Sequence, residues 1–299
     1  MTKMHDNEQE VNARLVQSLL KEQCPQWANL ELNPILSSGT DNALFRLGDK
    51  YVVRIPRIEW SPGSVSNGIN KEYLWIPQLA QHLKTPISEP VFKGTPNVAY
   101  PWPWSITKWN DGHNPEFEKE KEYDKLAVDL AYFLNELHSI KLPEAGPLSR
   151  RGTPLKELDN ETKKALKALE NDIDTKPLAL LWEKLSNTPT WDKSPVWMHG
   201  DLLPGNVLIQ NNKLSAVIDF ADVGLGDPAC DLIVAWSLLN ADSRAIFRKH
   251  LVNIDEHTWQ RGKGWALSIA LIILPYYKNT NPVLTSVARR IIDQLFRDS

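Results

Sequence analysis

The stretch His199-Gly200-Asp201-Leu202-Leu203-Pro204-Gly205-Asn206-Val207-Leu208, followed after a short hairpin by Val217-Ile218-Asp219-Phe220, decides the fold. Gly200, Pro204 and Gly205 make the segment from Asp201 to Asn206 too irregular for helix or strand, so these two polar side chains stand at opposite ends of one tight loop. The apolar run Leu214 to Ile218 reads as a strand that pairs with Val207 to Ile209 across the Asn211-Asn212 turn. That pairing brings Asp201, Asn206 and Asp219 to one edge of a short β-ribbon. Two oxygen ligands beside a third carboxylate suit Mg2+ bound to a nucleoside triphosphate, an ion that takes few protein ligands and fills its other positions from phosphates and water.

Upstream of this ribbon the chain reads as a small antiparallel sheet with flanking helices. Glu8 to Gln23 places Val11, Leu15, Leu19 and Leu20 at helical spacing and ends before Pro25. Leu30 to Leu36 reads as a strand, and Ala43 to Leu47 and Tyr51 to Ile55 as two more joined at Gly48-Asp49. Ile69 to Leu83 is helical in composition, with Pro77 expected to start a new turn or kink it. Short apolar stretches follow at Pro90 to Phe92 and Tyr100 to Trp109. The turn cluster Asn110-Asp111-Gly112 marks a boundary between an N-terminal lobe, residues 1–109, and a C-terminal lobe, residues 110–299. In the second lobe, Tyr123 to His138 carries Leu126, Leu130, Leu134 and Leu137 on one stripe, and Glu161 to Leu185 gives one or two helices. Further helical segments fall at Ala229 to Leu239, Arg244 to Leu251, Thr258 to Leu274 and Val283 to Phe296. The fold class is α+β, with a cleft between lobes as the place for a ligand.

Composition narrows the function. A chain of 299 residues, 42% hydrophobic and 24% charged, buries a substantial core. With 34 Lys+Arg against 37 Asp+Glu and a net charge of -3 there is no surplus to hold a polyanion, so nucleic acid is not an expected partner. Cys24 and Cys230 lack the spacing of a thiolate metal site or redox pair and read as free and buried. Met1 to Glu10 lacks the basic-then-apolar run of a signal peptide. The longest apolar run, Ala266 to Leu274, is about half of the roughly 20 residues that cross a bilayer. The expectation is a cytoplasmic protein with no membrane partner, a monomer or weak dimer, most of whose 12 Trp residues lie in the core.

The ribbon resembles the catalytic loop of protein kinases, H-R-D-x-x-x-x-N followed by D-F-G. It is closer to the aminoglycoside phosphotransferase and choline kinase-like family, whose loop reads H-G-D-x-x-x-x-N and whose metal-binding Asp is not held to D-F-G, as Asp219-Phe220-Ala221 is not here. Gly226-Asp227-Pro228 and Asp231-Leu232 match that family's G-D-P-x-x-D-L stretch. The resemblance implies a bilobal protein kinase-like fold, with a small antiparallel β-sheet N-lobe and a larger, mainly helical C-lobe. It implies Mg2+-dependent transfer of the terminal phosphate of ATP or GTP to a hydroxyl of a small molecule, such as an aminoglycoside-type antibiotic or a related compound. Asp201 then orients the hydroxyl and accepts its proton, Asn206 and Asp219 hold Mg2+, and His199 braces the loop. The phosphate-covering turn is Ser37-Ser38-Gly39-Thr40-Asp41-Asn42, where Ser37, Ser38, Gly39, Thr40 and Asn42 present small residues, hydroxyls and backbone N–H groups. Arg54 stands where the family commonly has Lys, Glu72 is its partner, and Thr107 and Trp109 lie at the hinge that meets the purine.

Taken singly, these residues have plain structural explanations: Asp201 and Asn206 as turn residues, Asp219 as a strand-end acid, Arg54 and Glu72 as an ordinary ion pair, Asp227 as a loop brace. Their joint spacing has none. The acceptor is less legible. From Thr258 to Ser299, Arg261, Lys263, Lys278, Arg289, Arg290 and Arg297 face only Asp293 and Asp298, which disfavours a polycationic acceptor unless acids within Asp111 to Asp124 or Asp159 to Asp174 turn inward. Trp236, Trp259, Trp265, Tyr276 and Tyr277 either line an aromatic wall or fill the core. A protein kinase is disfavoured because Asp222 to Asp231 leaves no activation segment. The alternative of a nucleotide-binding regulatory module or pseudoenzyme is disfavoured because Asp201, Asn206 and Asp219 are all present.

Overall fold

The computed structural model describes residues 7–37, 39–115, 123–142 and 146–298. Ser38 of the phosphate-covering turn and the acids within 116–122 lie outside the described residues.

Helix α1 (Ala13–Gln23) begins later than Glu8 because Asn12 caps it, its side chain accepting from the Leu15 N–H at 3.0 Å. Five antiparallel strands follow, β1 (Leu32–Ile35), β2 (Asn42–Leu47), β3 (Tyr51–Pro56), β4 (Pro90–Gly94) and β5 (Trp104–Lys108), ordered β1-β2-β3-β5-β4. In β2, Ala43, Phe45 and Leu47 alternate inward and join Val53 and Ile55 of β3 and Val16, Leu19 and Leu20 of α1 in one apolar cluster. The same period of two sends Arg54 to the opposite face of the sheet. There it meets α2 (Ser64–Ala80), which starts before Ile69 at Gly63, whose φ is +81°, and runs through Pro77 without ending. Trp75, Ile76 and Leu79 of α2 belong to a second, larger cluster, with the Trp75 ring 5.1 Å from Trp197.

That larger cluster is built from helices around two short ribbons. α3 (Asp124–Ser139) buries Leu126, Leu130, Leu134 and Leu137 as its stripe requires. The segment Glu161 to Leu185 resolves into α4 (Asp159–Leu169) and α5 (Lys176–Ser186). Strand β6 (Val196–Met198) pairs with β9 (Gly224–Gly226), and β7 (Val207–Gln210) with β8 (Lys213–Val217). The expected helix at Ala229 to Leu239 is instead a 3-10 turn, Pro228–Ile233, followed by the four-residue α6 (Val234–Ser237). The chain closes with α7 (Ala241–His250), α8 (Glu256–Tyr277) and α9 (Pro282–Arg297). Ala266 to Leu274 runs along α8, with Ala266, Leu267, Ala270, Leu271 and Leu274 buried. No helix among the described residues is long and apolar enough to cross a membrane. Cys24 and Cys230 are free and buried.

The β7–β8 turn fixes the register on which the site depends. Asn211 and Asn212 both sit in the left-handed region, with φ of 54° and 59°, the backbone of a two-residue hairpin turn whose twist matches the strands. Val207 then faces Val217, and the Ile218 N–H reaches the Asn206 carbonyl at 2.9 Å. Asn212→Gly should raise the urea midpoint, because glycine takes this conformation without a Cβ clash. Ala at both positions should cost about 1 kcal/mol each; equal stability of the three proteins would contradict the turn.

Candidate active site

The catalytic-loop segment has almost no regular structure, so side chains hold it. Asp231, fully buried, accepts from the backbone N–H of His199 at 3.0 Å and of Gly200 at 2.8 Å, and its Oδ2 lies 3.0 Å from Nε2 of His138 on α3. Gly200 needs its freedom: φ is +85°, and a Cβ there would stand 2.9 Å from both the Cβ and the carbonyl oxygen of Asp222. His199 accepts from the Asp201 N–H through Nδ1 at 3.1 Å, so the ring hydrogen sits on Nε2 and donates to the Ile218 carbonyl at 3.0 Å. His199 thus braces the loop against the strand that leads to Asp219, with its ring 4.4 Å from Phe220.

Asp201, Asn206 and Asp219 come together as the ribbon requires. The Asn206 Nδ2 donates to the Asp201 carbonyl at 2.8 Å and to Asp201 Oδ2 at 3.1 Å. This orients the amide so that its Oδ1 has no hydrogen-bond donor among the described residues. Asp219 stands two residues past β8 with a φ of 64°, a strained position for a residue with a Cβ, and its N–H donates to Ser88 Oγ at 3.3 Å. Its Oδ1 accepts from Arg54 Nη2 at 2.7 Å, and its Oδ2 also has no partner among the described residues. A neutral amide oxygen and a carboxylate oxygen, both unspent and on adjacent backbone, are the hard donors that fit Mg2+. Among the described residues no group of three or more His, Cys, Asp or Glu is placed to hold a metal, so a cation here would draw its other ligands from phosphates and water.

Arg54 spans two carboxylates. Its Nη1 donates to Glu72 Oε1 at 2.7 Å while Nη2 reaches Asp219, and both Arg54 and Glu72 are buried. Burial alone would lower the Arg54 pKa, but Glu72 and Asp219 outweigh it and hold the guanidinium above its ordinary value. For Glu72 burial dominates and raises its pKa, against the pull of Arg54.

The remaining predicted residues frame this centre without touching it. Ser37 Oγ accepts from the Gly39 N–H at 2.9 Å, and Asn42 opens β2 opposite Pro56. Thr40 Oγ1 donates to Asp41 Oδ1 at 2.8 Å and accepts from Tyr277 at 3.1 Å, which fastens the turn to the end of α8. The Tyr277 hydroxyl is pushed up to about 12 by burial. Trp60 donates to Asp41 Oδ2 at 2.9 Å and packs on Tyr276 at 5.8 Å. At the hinge, Thr107 is buried within β5, while the Lys108 and Trp109 N–H groups already bond the Glu89 and Lys50 carbonyls. A purine-edge bond from the Trp109 N–H is therefore not available. The Trp109 indole lies under the Arg46 guanidinium at 3.5 Å and donates to Asp111.

Of the two readings of the aromatic residues, wall or core, the core holds for the tryptophans: Trp236, Trp259 and Trp265 are each at most 2% exposed and pack in the helical core, while Tyr277 is buried against Thr40. Of the described acids within Asp111 to Asp124 and Asp159 to Asp174, Asp111 bonds Trp109, Asp124 bonds Ser243, Asp159 bonds Lys163 and Trp182, Asp172 bonds Lys278 and Asp174 accepts from the Lys176 N–H, while Glu161 and Glu170 are exposed on or beside α4. Asp227 does hold the fold, through a two-bond pair with the buried Arg261. Sequence reasoning missed Arg151, in the short turn Arg150–Gly152 (3-10), whose Nη1 bonds Asp201 Oδ1 and whose Nε lies 3.1 Å from Asp222. The signal available was a pair of adjacent arginines in a Pro- and Gly-punctuated loop.

A five-stranded sheet, a cation bridging Glu72 and Asp219, and a loop that brings Asp201 and Asn206 beside Asp219 are the parts of a kinase-like phosphotransferase. The model of the phosphotransferase enzyme family matches residues 34–265, and the chain belongs to that family. It is 25% identical over 194 residues to an aminoglycoside 3'-phosphotransferase of Escherichia coli, covering 62% of this chain and 69% of that one. Two solved structures share the fold. One is the GDP complex of an aminoglycoside 2'-phosphotransferase, with a TM-score of 0.72 at 18% identity, covering 97% of this chain and 100% of that one. The other is a macrolide 2'-phosphotransferase from Brachybacterium faecium, with a TM-score of 0.59 at 16% identity, covering 93% and 97%.

Asp231→Ala removes the acceptor for two backbone N–H groups and for His138 at once. It should cost about 3 kcal/mol in urea unfolding; a cost under about 1 kcal/mol would show that the loop is held by other means.

Proposed function

We propose that the chain transfers the terminal phosphoryl group of ATP or GTP to a hydroxyl of a small molecule in the cleft between residues 1–109 and 110–299, as a cytoplasmic monomer or weak dimer. The observation that carries this reading is the unbroken polar chain Glu72–Arg54–Asp219 beside Asn206–Asp201. Nucleotide use is supported by the nucleotides named in complexes of fold neighbours, GDP and ADP.

Asp201 accepts the hydroxyl proton as the acceptor oxygen bonds to the γ-phosphorus, and the bond to the bridging oxygen breaks to release the nucleoside diphosphate. Asn206 Nδ2 and Arg151 keep the Asp201 carboxylate in one orientation. Arg54 binds the phosphates that are not transferred, steered by Glu72. Asn206 and Asp219 would hold Mg2+, which would neutralise charge on the phosphates. Ser37, Gly39, Thr40 and Asn42, with Ser38, cover those phosphates, and the Thr107–Trp109 segment borders the base.

Aminoglycosides and macrolides, the substrates named for the relatives, are the first acceptors to assay. Asp111, Asp124, Asp159 and Asp172 are spent in internal pairs, and the C-terminal segment carries more cations than acids, which favours acceptors of low positive charge over polycations.

Acceptor-independent hydrolysis of Mg2+-ATP and Mg2+-GTP provides a test that needs no known acceptor. Asp201→Asn should lower the rate at least 100-fold and leave the nucleotide KM within threefold. Asp219→Asn should raise the Mg2+ concentration needed for half-maximal rate at least tenfold. Hydrolysis that is unaltered in Asp201→Asn would remove that residue from the reaction.

A further inference from the structure

Beside the catalytic loop stands a group of cations of which two, Lys71 and Arg150, have no part in the phosphoryl transfer proposed above. Lys71 lies on α2 next to Glu72 and is half-buried. Among the described residues it has no carboxylate within ion-pair distance, and its one hydrogen bond is to the Val223 carbonyl at 3.4 Å. Burial lowers its pKa and Arg150 adds to that, while Asp222 and Glu72 oppose them. Arg150, with 80% of its side chain exposed, approaches Asp222 at only 3.7 Å. Arg151 bonds Asp222 through Nε and Asp201 and the Gly200 carbonyl through Nη1, and its Nη2 has no partner among the described residues.

Arg150 and Arg151 therefore stand within 3.7 Å of Asp222, Lys71 reaches the carbonyl of the next residue, Val223, and Arg151 also serves Asp201. With Glu72 paired to Arg54, these three cations outnumber Asp222 and Asp201, and ammonium and guanidinium donors remain unspent. An ammonium drawn partly out of water without a counter-ion is costly, and an oxyanion that bonds it and an arginine fork together relieves that cost. We propose that Lys71, Arg150 and Arg151 form an oxyanion site that takes a phosphate or carboxylate group one guanidinium away from Asp201. The oxyanion has two possible sources, a group carried by the acceptor itself or free inorganic phosphate. Only the first of these rests on the function proposed above.

Inorganic phosphate is the probe, titrated calorimetrically at constant ionic strength into protein holding Mg2+ and ADP, with chloride as the control. One saturable site is expected, weakened at least tenfold in Lys71→Met and in Arg150→Gln and retained in Asp201→Asn. Arg150 is exposed enough that Arg150→Gln leaves folding intact, which a matching melting curve checks. Phosphate binding no tighter than chloride, or binding unchanged in both variants, overturns the site.

Glucose, glucuronate and glucose 6-phosphate, compared as acceptors, separate the two sources. Preference for the charged sugars, with phosphate competing against them, assigns the oxyanion to the acceptor. Phosphate that alters turnover without competing assigns it to the free ion. Loss of all Asp201-dependent transfer with phosphate binding intact counts against the proposed function and leaves the site standing.

Discussion

One buried guanidinium holds the site together. Arg54 leaves the central strand β3 and bonds Glu72 on α2 and Asp219 beyond β8 at 2.7 Å each, so sheet, helix and metal-side loop are referenced to a single group. The planar fork suits this better than an ammonium, because two donors on one rigid frame fix the separation of two carboxylates. The arrangement is all-or-none. With either acid removed the cation is under-compensated, and without the cation Glu72 is left as a buried charge with no partner, a loss on the order of 3–5 kcal/mol. Asp219 uses only Oδ1 for this contact, which leaves Oδ2 without a partner among the described residues.

The loop on the other side of the cleft is held by a different device. Gly200 and Asp219 both adopt positive φ, and neither belongs to a strand or helix. Glycine takes this backbone freely, but at Asp219, which carries a Cβ, it is strained and persists only where surrounding bonds over-determine it. Asp231 supplies two of those bonds to the loop backbone, His199 ties the loop to Ile218, and Ser88 holds the Asp219 N–H. Stability and chemistry thus share one set of contacts. The Asp201 carboxylate is oriented by the Asn206 amide, whose oxygen has no donor among the described residues.

The parts of this arrangement that were legible in the sequence are those that local spacing controls. The tight loop from Asp201 to Asn206, the Asn211-Asn212 turn and the strand ending before Asp219 form a continuous segment, and strand alternation alone separates Arg54 from Val53 and Ile55. The roles of Asp231, His138, Arg151 and Lys71 were not legible, because their partners lie 31 to 152 residues away and no short-range pattern encodes such contacts. The sequence left wall and core open for the tryptophans, and the core holds because α8 is apolar around most of its surface, so Trp259 and Trp265 pack inward on neighbouring helices. The boundaries of α1 and α2 shifted because Asn12 and Gly63 set them, signals weaker than the apolar stripe between them.

The central claim is that Asp201 accepts a proton during direct transfer and is not itself phosphorylated. The stereochemistry at the γ-phosphorus tests this most directly, using a nucleotide made chiral there with oxygen isotopes and sulfur and turned over to the acceptor or to water. One in-line displacement inverts the configuration, and inversion is the predicted result. Retention would mean two successive displacements through a phosphorylated enzyme and would contradict the role given to Asp201.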